Sequence, residues 1–325
     1  MTAVTDVQPT AAPATSTTLR PRFEGTNICT WTGFKHVNYL VEEAVLDHLR
    51  QRGWAARTLF EQYGLGVELT AIDTRILHAL HYDDEVRATV TARPERDGAM
   101  RLRVAIEADR PGGAVKAVSS RVSVQLRIDD RHGSAPQPVP AELAAHAVAR
   151  VGDDSRRVPL GALALETGRG AVTQDVPAEL RTGTGPAIAW RWRIPYFYCH
   201  ATVRLQMSGL LRQMEEVVDL FLAERGVSIR TLLDEQDWIP VVPHSSITML
   251  GEALMEEDLV TVLEVDHVFK TATYDARMDC YVVRGEELVQ VATGRITHGY
   301  AHIDGRGDWS LVAFDERMLT AVGAR

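Results

Sequence analysis

The chain has 325 residues, 45% hydrophobic and 24% charged, which gives core enough for about two globular domains. A formal net charge of −9, without a long Lys/Arg run, argues against nucleic acid or an anionic membrane as a partner. Cys29, Cys199 and Cys280 are widely spaced, with no CxxC and no Cys/His cluster, which argues against a disulfide framework or a structural zinc site.

Residues 1–20 are rich in Thr, Ala and Pro and lack the basic start and apolar stretch of a secretion signal, so the sequence predicts a disordered tail on a cytoplasmic protein. No apolar run approaches the roughly 20 residues that span a bilayer. A short strand is expected at 21–26. Leu40, Glu43, Val45, Leu46 and Leu49 then recur near helical spacing, predicting a helix over 39–52 that Gly53 stops. Four β-rich runs follow at 66–79, 84–93, 100–109 and 115–128, divided by Tyr82-Asp83-Asp84, Arg96-Asp97-Gly98 and Pro111-Gly112-Gly113. Residues 131–186 carry Pro, Gly, Asp and Arg with a helical stretch near 140–150, and read equally as an outer packed linker or as partial disorder. Beyond them come a strand at 187–198 and a helix at 205–225 with Leu210, Leu211, Met214, Val217, Val218, Phe221 and Leu222 on a wide apolar face, ended by Gly226. Strands are expected at 239–250, 258–269, 273–284 and 287–303, the last two joined at Arg284-Gly285-Glu286-Glu287.

The two halves are copies of one unit. YLVEEAVLDHLRQRG at 39–53 matches RQMEEVVDLFLAERG at 212–226 with a constant offset of 173, which also carries Arg57-Thr58-Leu59 onto Arg230-Thr231-Leu232. With one residue inserted, Asp84 and Val86 fall on Asp258 and Val260. The chain thus divides into a tail (1–20), a first domain (21–130), a linker (131–186) and a second domain (187–325). Each domain is a strand, a helix and four antiparallel strands.

That plan, doubled, resembles the hotdog fold of acyl-CoA and acyl-ACP thioesterases and dehydratases. RFEGTN at 22–27 is similar to the opening of 4-hydroxybenzoyl-CoA-type thioesterases, and VEEAVLDHLRQRG at 41–53 to the helix that follows it there. GLGVELTAIDTRILHALHYDDEVRATV at 64–90 resembles that family's next strands, and His36-Val37-Asn38 part of the HVNN motif common in the superfamily. HATVRLQMSGLLRQMEEVVDLFLAERG at 200–226 resembles the helix start of bacterial acyl-ACP thioesterases. The resemblance implies an α+β double hotdog in which each long helix is wrapped by antiparallel sheet and the halves form a fused pseudo-dimer. It also implies a catalytic carboxylate at the helix start. Aligned on the helix, that place holds Asn27 in the first half and His200 in the second; aligned on His36-Val37-Asn38 it holds Thr32. The aspartate is missing in every register.

Thioester chemistry needs a polarised carbonyl and a group that moves a proton or delivers water. A helix N-terminus offers backbone N–H groups for the oxygen, so the polar residues at each helix start are the candidates. His200 is a base candidate that Glu215, Glu216 or Glu43 could orient, against a plain loop histidine. His36 and Asn38 could orient water and bind a thioester oxygen, against a surface His beside a capping Asn. Asn27 cannot act as a base but can donate to a carbonyl. Of the recurring pairs Glu42/Glu43 and Glu215/Glu216, one member each should face inward, taken as Glu43 and Glu216. His244 and Ser245 are candidates for pocket lining, since adjacent strand residues face opposite sides and there is no GxSxG. Tyr63 and Tyr198 are further lining candidates, the latter within an aromatic cluster of Trp190, Trp192, Tyr196, Phe197 and Tyr198 that also reads as core.

The expectation is an enzyme acting on an acyl thioester carried by coenzyme A or an acyl carrier protein. Its sites would lie at the seam between the halves, one competent and one degenerate. The substrate carries its own pantetheine arm, so no metal or redox cofactor is implied. Hydrolysis in polyketide, fatty-acyl or specialised-metabolite biosynthesis leads, with dehydration, transfer with decarboxylation, and non-catalytic acyl-thioester binding as alternatives. A homodimer of such chains is a further expectation.

Overall fold

The structure is a computed structural model that describes residues 13–96, 98–153, 156–163, 171–199 and 202–324. The first strand, β1 (Thr15–Leu19), lies inside the expected tail: it holds the β-branched residues Thr15, Thr17 and Thr18, and Thr15 Oγ1 meets His48 Nδ1 at 2.7 Å. The strand expected at 21–26 is instead a short turn at 23–25, closed where the Gly25 N–H donates to the Arg22 carbonyl. Helix α1 (Phe34–Gln51) starts five residues earlier than predicted, directly after Gly33, and buries Val37, Val41, Ala44, Val45 and Leu49 along one stripe. The repeated Arg-Thr-Leu lies in the first turn of a second helix, α2 (Ala56–Tyr63), which Gly64 ends at φ +64°. Strands β2 (Leu65–Ile76), β3 (Val86–Arg96), β4 (Ala99–Arg110) and β5 (Gly113–Ile128) fall close to the predicted runs.

The predicted helix at 140–150 is one turn, α3 (Ala141–Ala144), followed by β6 (Ala147–Val148), which adds to β5 in parallel. Two more short strands, β7 (Arg157–Pro159) and β8 (Val172–Thr173), come before β9 (Ala187–Arg193), which stops ahead of Pro195. Then follow α4 (Met207–Ala223), α5 (Ile229–Gln236), β10 (Trp238–Met249), β11 (Asp258–Phe269), β12 (Thr273–Arg284) and β13 (Glu287–Gly305). A hairpin strand β14 (Asp308–Leu311) and a short helix α6 (Glu316–Ala321) end the chain. From α1 to β2 the offset of 173 recurs element by element: α4, α5 and β10 begin that far after α1, α2 and β2.

All strands join one sheet, whose path runs β1-β3-β4-β5-β2-β10-β13-β12-β11-β9-β8. The second half repeats the order of the first in mirror image, and the centre is the antiparallel pairing of β2 with β10, from Ala71↔Thr248 to Arg75↔His244. Beside this junction a buried hydrogen-bond chain ties α1 to both strands. Thr74 Oγ1 donates to Asn38 Oδ1 at 2.6 Å, and Asn38 Nδ2 donates to Ser245 Oγ at 3.2 Å and to the Phe34 carbonyl at 2.9 Å. A satisfied buried network of this kind fixes one register, because any slip would strand its polar atoms. Helix α4 packs on the sheet where Gly294 leaves room: a Cβ there would fall 2.6 Å from Met214 Cε. Among the described residues no helix is long and apolar enough to cross a membrane.

Candidate active site

A cavity of about 980 Å³ opens at the start of α1. The first half supplies Glu24, Asn27, Trp31, Thr32, Gly33, Phe34, Lys35 and His36; the second supplies Arg212, Glu215, Glu216 and Asp219 from α4, Pro240 to Pro243 from β10, and His298 from β13. No side chain caps α1. Its first-turn N–H groups at Phe34 and Lys35 have no carbonyl four residues back in the helix, so they are donors at the cavity wall. Thr32, just ahead of them, keeps a buried hydroxyl without a hydrogen-bond partner.

His36 is seated by its neighbours. Its ring lies against Gly25, where a Cβ would come within 2.4 Å of Cγ, and its edge meets the Tyr39 ring with centroids 5.0 Å apart. Burial, aided by the charge of Lys35, lowers its pKa below the ordinary 6.5, so the ring is neutral at pH 7. Glu24 Oε1 stands 3.8 Å from its Nε2. Lys35 pairs with Glu215 across the halves. Arg212 donates from Nε to the Tyr39 hydroxyl at 3.0 Å and lies 5.6 Å from the Tyr198 ring centroid. Farther along α4, burial together with the charges of Glu216 and Glu215 raises the pKa of Asp219.

The opposite wall is a broken strand. Val241 pairs with Gly299 and His244 with Thr297, so Val242 and Pro243 together face His298 alone. Pro240 and Pro243 have no N–H to give the ladder, which is why β10 bulges here. The displaced backbone is braced by Asn27, whose Nδ2 donates to the Pro240 carbonyl at 3.4 Å. His298 is 4% exposed, and burial lowers its pKa to about 4.

The structure thus brings His36, Asn27, Glu216 and Tyr198 to one cavity and places the other described candidates elsewhere. Asn38 is not at the helix start: it lies in the second turn with its amide committed to the seam. Glu43 is the exposed member of its pair and lies off the cavity, while Glu42 is half-buried, so the inward choice fails in α1. Tyr63 ends α2 and packs against the core, away from the cavity. His244 and Ser245 do not line it either. Ser245 faces α1, whereas His244 points to the other sheet face and meets Asp73 Oδ1 at 3.0 Å. His200 lies outside the described residues. Sequence reasoning passed over Asp219, Arg212 and His298. Asp219 had a signal, because the repeat places it where the first copy has Leu46, a carboxylate in place of a helix apolar residue.

The start of α4, at the matching place, is packed differently. Tyr198 corresponds to Gly25 and Gly209 to His36 by the same offset, so the large and small partners are exchanged. The Gln206 N–H donates to the Tyr198 carbonyl at 3.2 Å, and a Cβ on Gly209 would fall 2.8 Å from that oxygen. Thr202 donates to buried Glu68 at 2.8 Å. Glu252 ion-pairs with Arg127 at 2.7 Å and Arg204 at 3.0 Å, and accepts the Val151 N–H at 3.0 Å.

A long helix against an antiparallel sheet, repeated in one chain, defines an α+β hotdog fold, and comparison with solved structures shows the same. A protein assigned as an oleoyl thioesterase from Lactobacillus plantarum superimposes with a TM-score of 0.59 at 11% identity, over 89% of this chain and 95% of that one. An acyl-ACP thioesterase from Bacteroides thetaiotaomicron gives 0.53 at 9% identity, over 88% and 97%. The 12:0-ACP thioesterase from Umbellularia californica gives 0.53 at 10% identity, over 88% and 94%. No protein-family model matches the sequence, and no curated protein matches it.

Proposed function

We propose that this protein hydrolyses an acyl thioester in the cavity at the start of α1, with its halves acting as a fused pseudo-dimer that has one open site and one filled. The observation that carries this reading is the composition of the cavity: an uncapped helix N-terminus and a neutral histidine from one half face the α4 carboxylates of the other. The acyl-ACP thioesterases that share the fold over most of the chain support it, as does the mirrored strand order.

In this mechanism the Phe34 and Lys35 N–H groups hold the carbonyl oxygen as it gains charge, assisted by the helix dipole. His36 accepts a proton from water while the water oxygen bonds to the thioester carbon. The C–S bond then breaks, and His36 returns the proton to the departing thiolate, leaving a carboxylic acid and a free thiol. Lys35, paired with Glu215, keeps His36 in the neutral form that can accept the proton.

Acyl-CoAs and acyl-pantetheines of graded length, read by release of free thiol, test the proposal. Turnover that falls about 100-fold or more in His36→Ala supports it; turnover indifferent to His36 refutes the role. A second reading, acyl-thioester binding without catalysis, is favoured by one observation: Asn27 and Thr32 stand where related enzymes carry the carboxylate. It requires tight binding of a thioether analogue with no thiol released from any thioester.

A further inference from the structure

The cavity wall built from β10 and β13 is mostly apolar, with Val241, Val242 and Ile296. Within it His298 is a polar exception. Its ring is 4% exposed and lines the cavity, yet Nδ1 has no hydrogen-bond partner. The aromatic neighbours hold the ring in place without supplying one: Tyr274, opposite it on β12, stacks on it with centroids 5.4 Å apart, and Tyr300, two residues on along β13, lies at the same distance. Opposite His298 on the neighbouring strand lies the two-residue bulge Val242–Pro243, which also lines the cavity. Asp219, also on the cavity wall, lies close enough to Tyr300 to act on its charge. A second buried polar atom, Thr32 Oγ1, is unpartnered at the helix start.

Buried polar groups in folded proteins are nearly always hydrogen-bonded, and an orphan at a cavity wall points to a ligand that completes it. A plain alkyl chain packed against His298 would leave Nδ1 without a partner. We infer that the acyl group this cavity takes carries an oxygen function, a hydroxyl or a carbonyl, in its buried part, and that His298 is the residue that selects it. This rests on the acyl-thioester reading above and adds the substrate class to it. A neutral imidazole can give or accept one hydrogen bond at Nδ1, so both oxygen functions fit.

The test uses matched pairs of acyl-pantetheine thioethers, equal in chain length, with and without a hydroxyl or keto group. Binding is read by calorimetry, which needs no turnover and therefore separates this inference from the hydrolysis proposal. Wild-type protein is expected to prefer the oxygenated member by about 10- to 100-fold, the usual range for leaving a buried polar group unsatisfied. His298→Phe should lose that preference while keeping affinity for the alkyl member, and His298→Gln should restore part of it. Equal affinity for both members in wild type overturns the inference, as does a preference that survives in His298→Phe. Should His298→Phe not fold, the wild-type ratio alone still decides.

Discussion

The contact between Gly25 and His36 can be broken by one methyl group. A Cβ on Gly25 falls 2.4 Å from Cγ, 2.6 Å from Cβ and 2.7 Å from Cδ2 of His36, well inside the van der Waals contact of about 3.5 Å. Gly25 is not among the residues with positive φ, so alanine adds no backbone strain and the steric overlap is the whole effect. Relieving it requires moving the imidazole by about 1 Å, a displacement that costs a reacting group about 100-fold in rate. Overpacking at a tight site also costs about 1–3 kcal/mol. Gly25→Ala should therefore lower kcat about 100-fold in the thiol-release assay and lower the melting temperature by several degrees. In a His36→Gly background all three close atoms are gone, and the same alanine should be nearly silent in both readouts. The double variant would have its small residue on the helix, as the second half does with Tyr198 and Gly209. Wild-type kcat in Gly25→Ala, or the same loss in both backgrounds, would refute the seating of His36.

Activity needs neutral His36, so kcat/KM should be full above its lowered pKa and fall as pH drops through it. Lys35→Met removes one influence holding that pKa down and unmasks Glu215, which pushes it up, so the acid limb of the pH profile should move to higher pH; a limb that stays put sinks the assignment. Asn38→Ala strips the seam network of its centre and should cost about 1–3 kcal/mol in urea unfolding, whereas His244→Ala, on the other sheet face, should cost clearly less. Asp219→Asn removes a carboxylate whose pKa is raised by burial, Glu216 and Glu215, so folding carries a penalty for its charged form. The variant should melt higher than wild type near pH 7, with the gain vanishing as pH falls through the raised pKa, and an unchanged difference across that range would count against the repulsion.

The duplication was legible because two copies of a helix carry the same charges and the same glycine stop in register. Strands β2 to β5 and β10 to β13 follow alternation and turn residues, both of which are local properties of the chain. The losses have physical causes too. Residues 15–19 look like tail by composition, but a free strand edge on β3 and the side chain of His48 give them partners that no local pattern records. Asn38 has the residue type of a cap, and only the fold reveals that Thr74 and Ser245 claim its amide. Glu43 and Glu216 occupy matching positions yet differ in exposure, since the surroundings of the two helices have diverged. Arg212 and His298 join the site through the pairing of β2 with β10 and the bulge in β10, which are contacts between the halves and between strands.

The asymmetry of the two helix starts follows from what a substrate would have to displace. Both helix starts carry the same closing hydrogen bond, from the Gly33 N–H to the Gly25 carbonyl at 2.9 Å and from the Gln206 N–H to the Tyr198 carbonyl at 3.2 Å, but at α4 the Tyr198 side chain replaces the bare glycine and Gly209 is pressed against its carbonyl. Beside it stand Arg127, Arg204 and Glu252; burial opposes the Glu252 charge, but the hydrogen bonds from Arg127, Val151 and Arg204 outweigh it and hold the carboxyl below its usual pKa. Separating one partner from such a buried group costs about 3–5 kcal/mol, more than a carbonyl oxygen gains from one or two backbone donors at a net of about 1 kcal/mol each. At α1 there is no such debt. Gly25 stands where α4 has Tyr198, and the cavity lies there with the bulged stretch of β10 on its wall. The exchange of large and small residues across one loop–helix contact, Gly25 with His36 against Tyr198 with Gly209, is therefore the difference on which the proposed placement of the chemistry at the first helix rests.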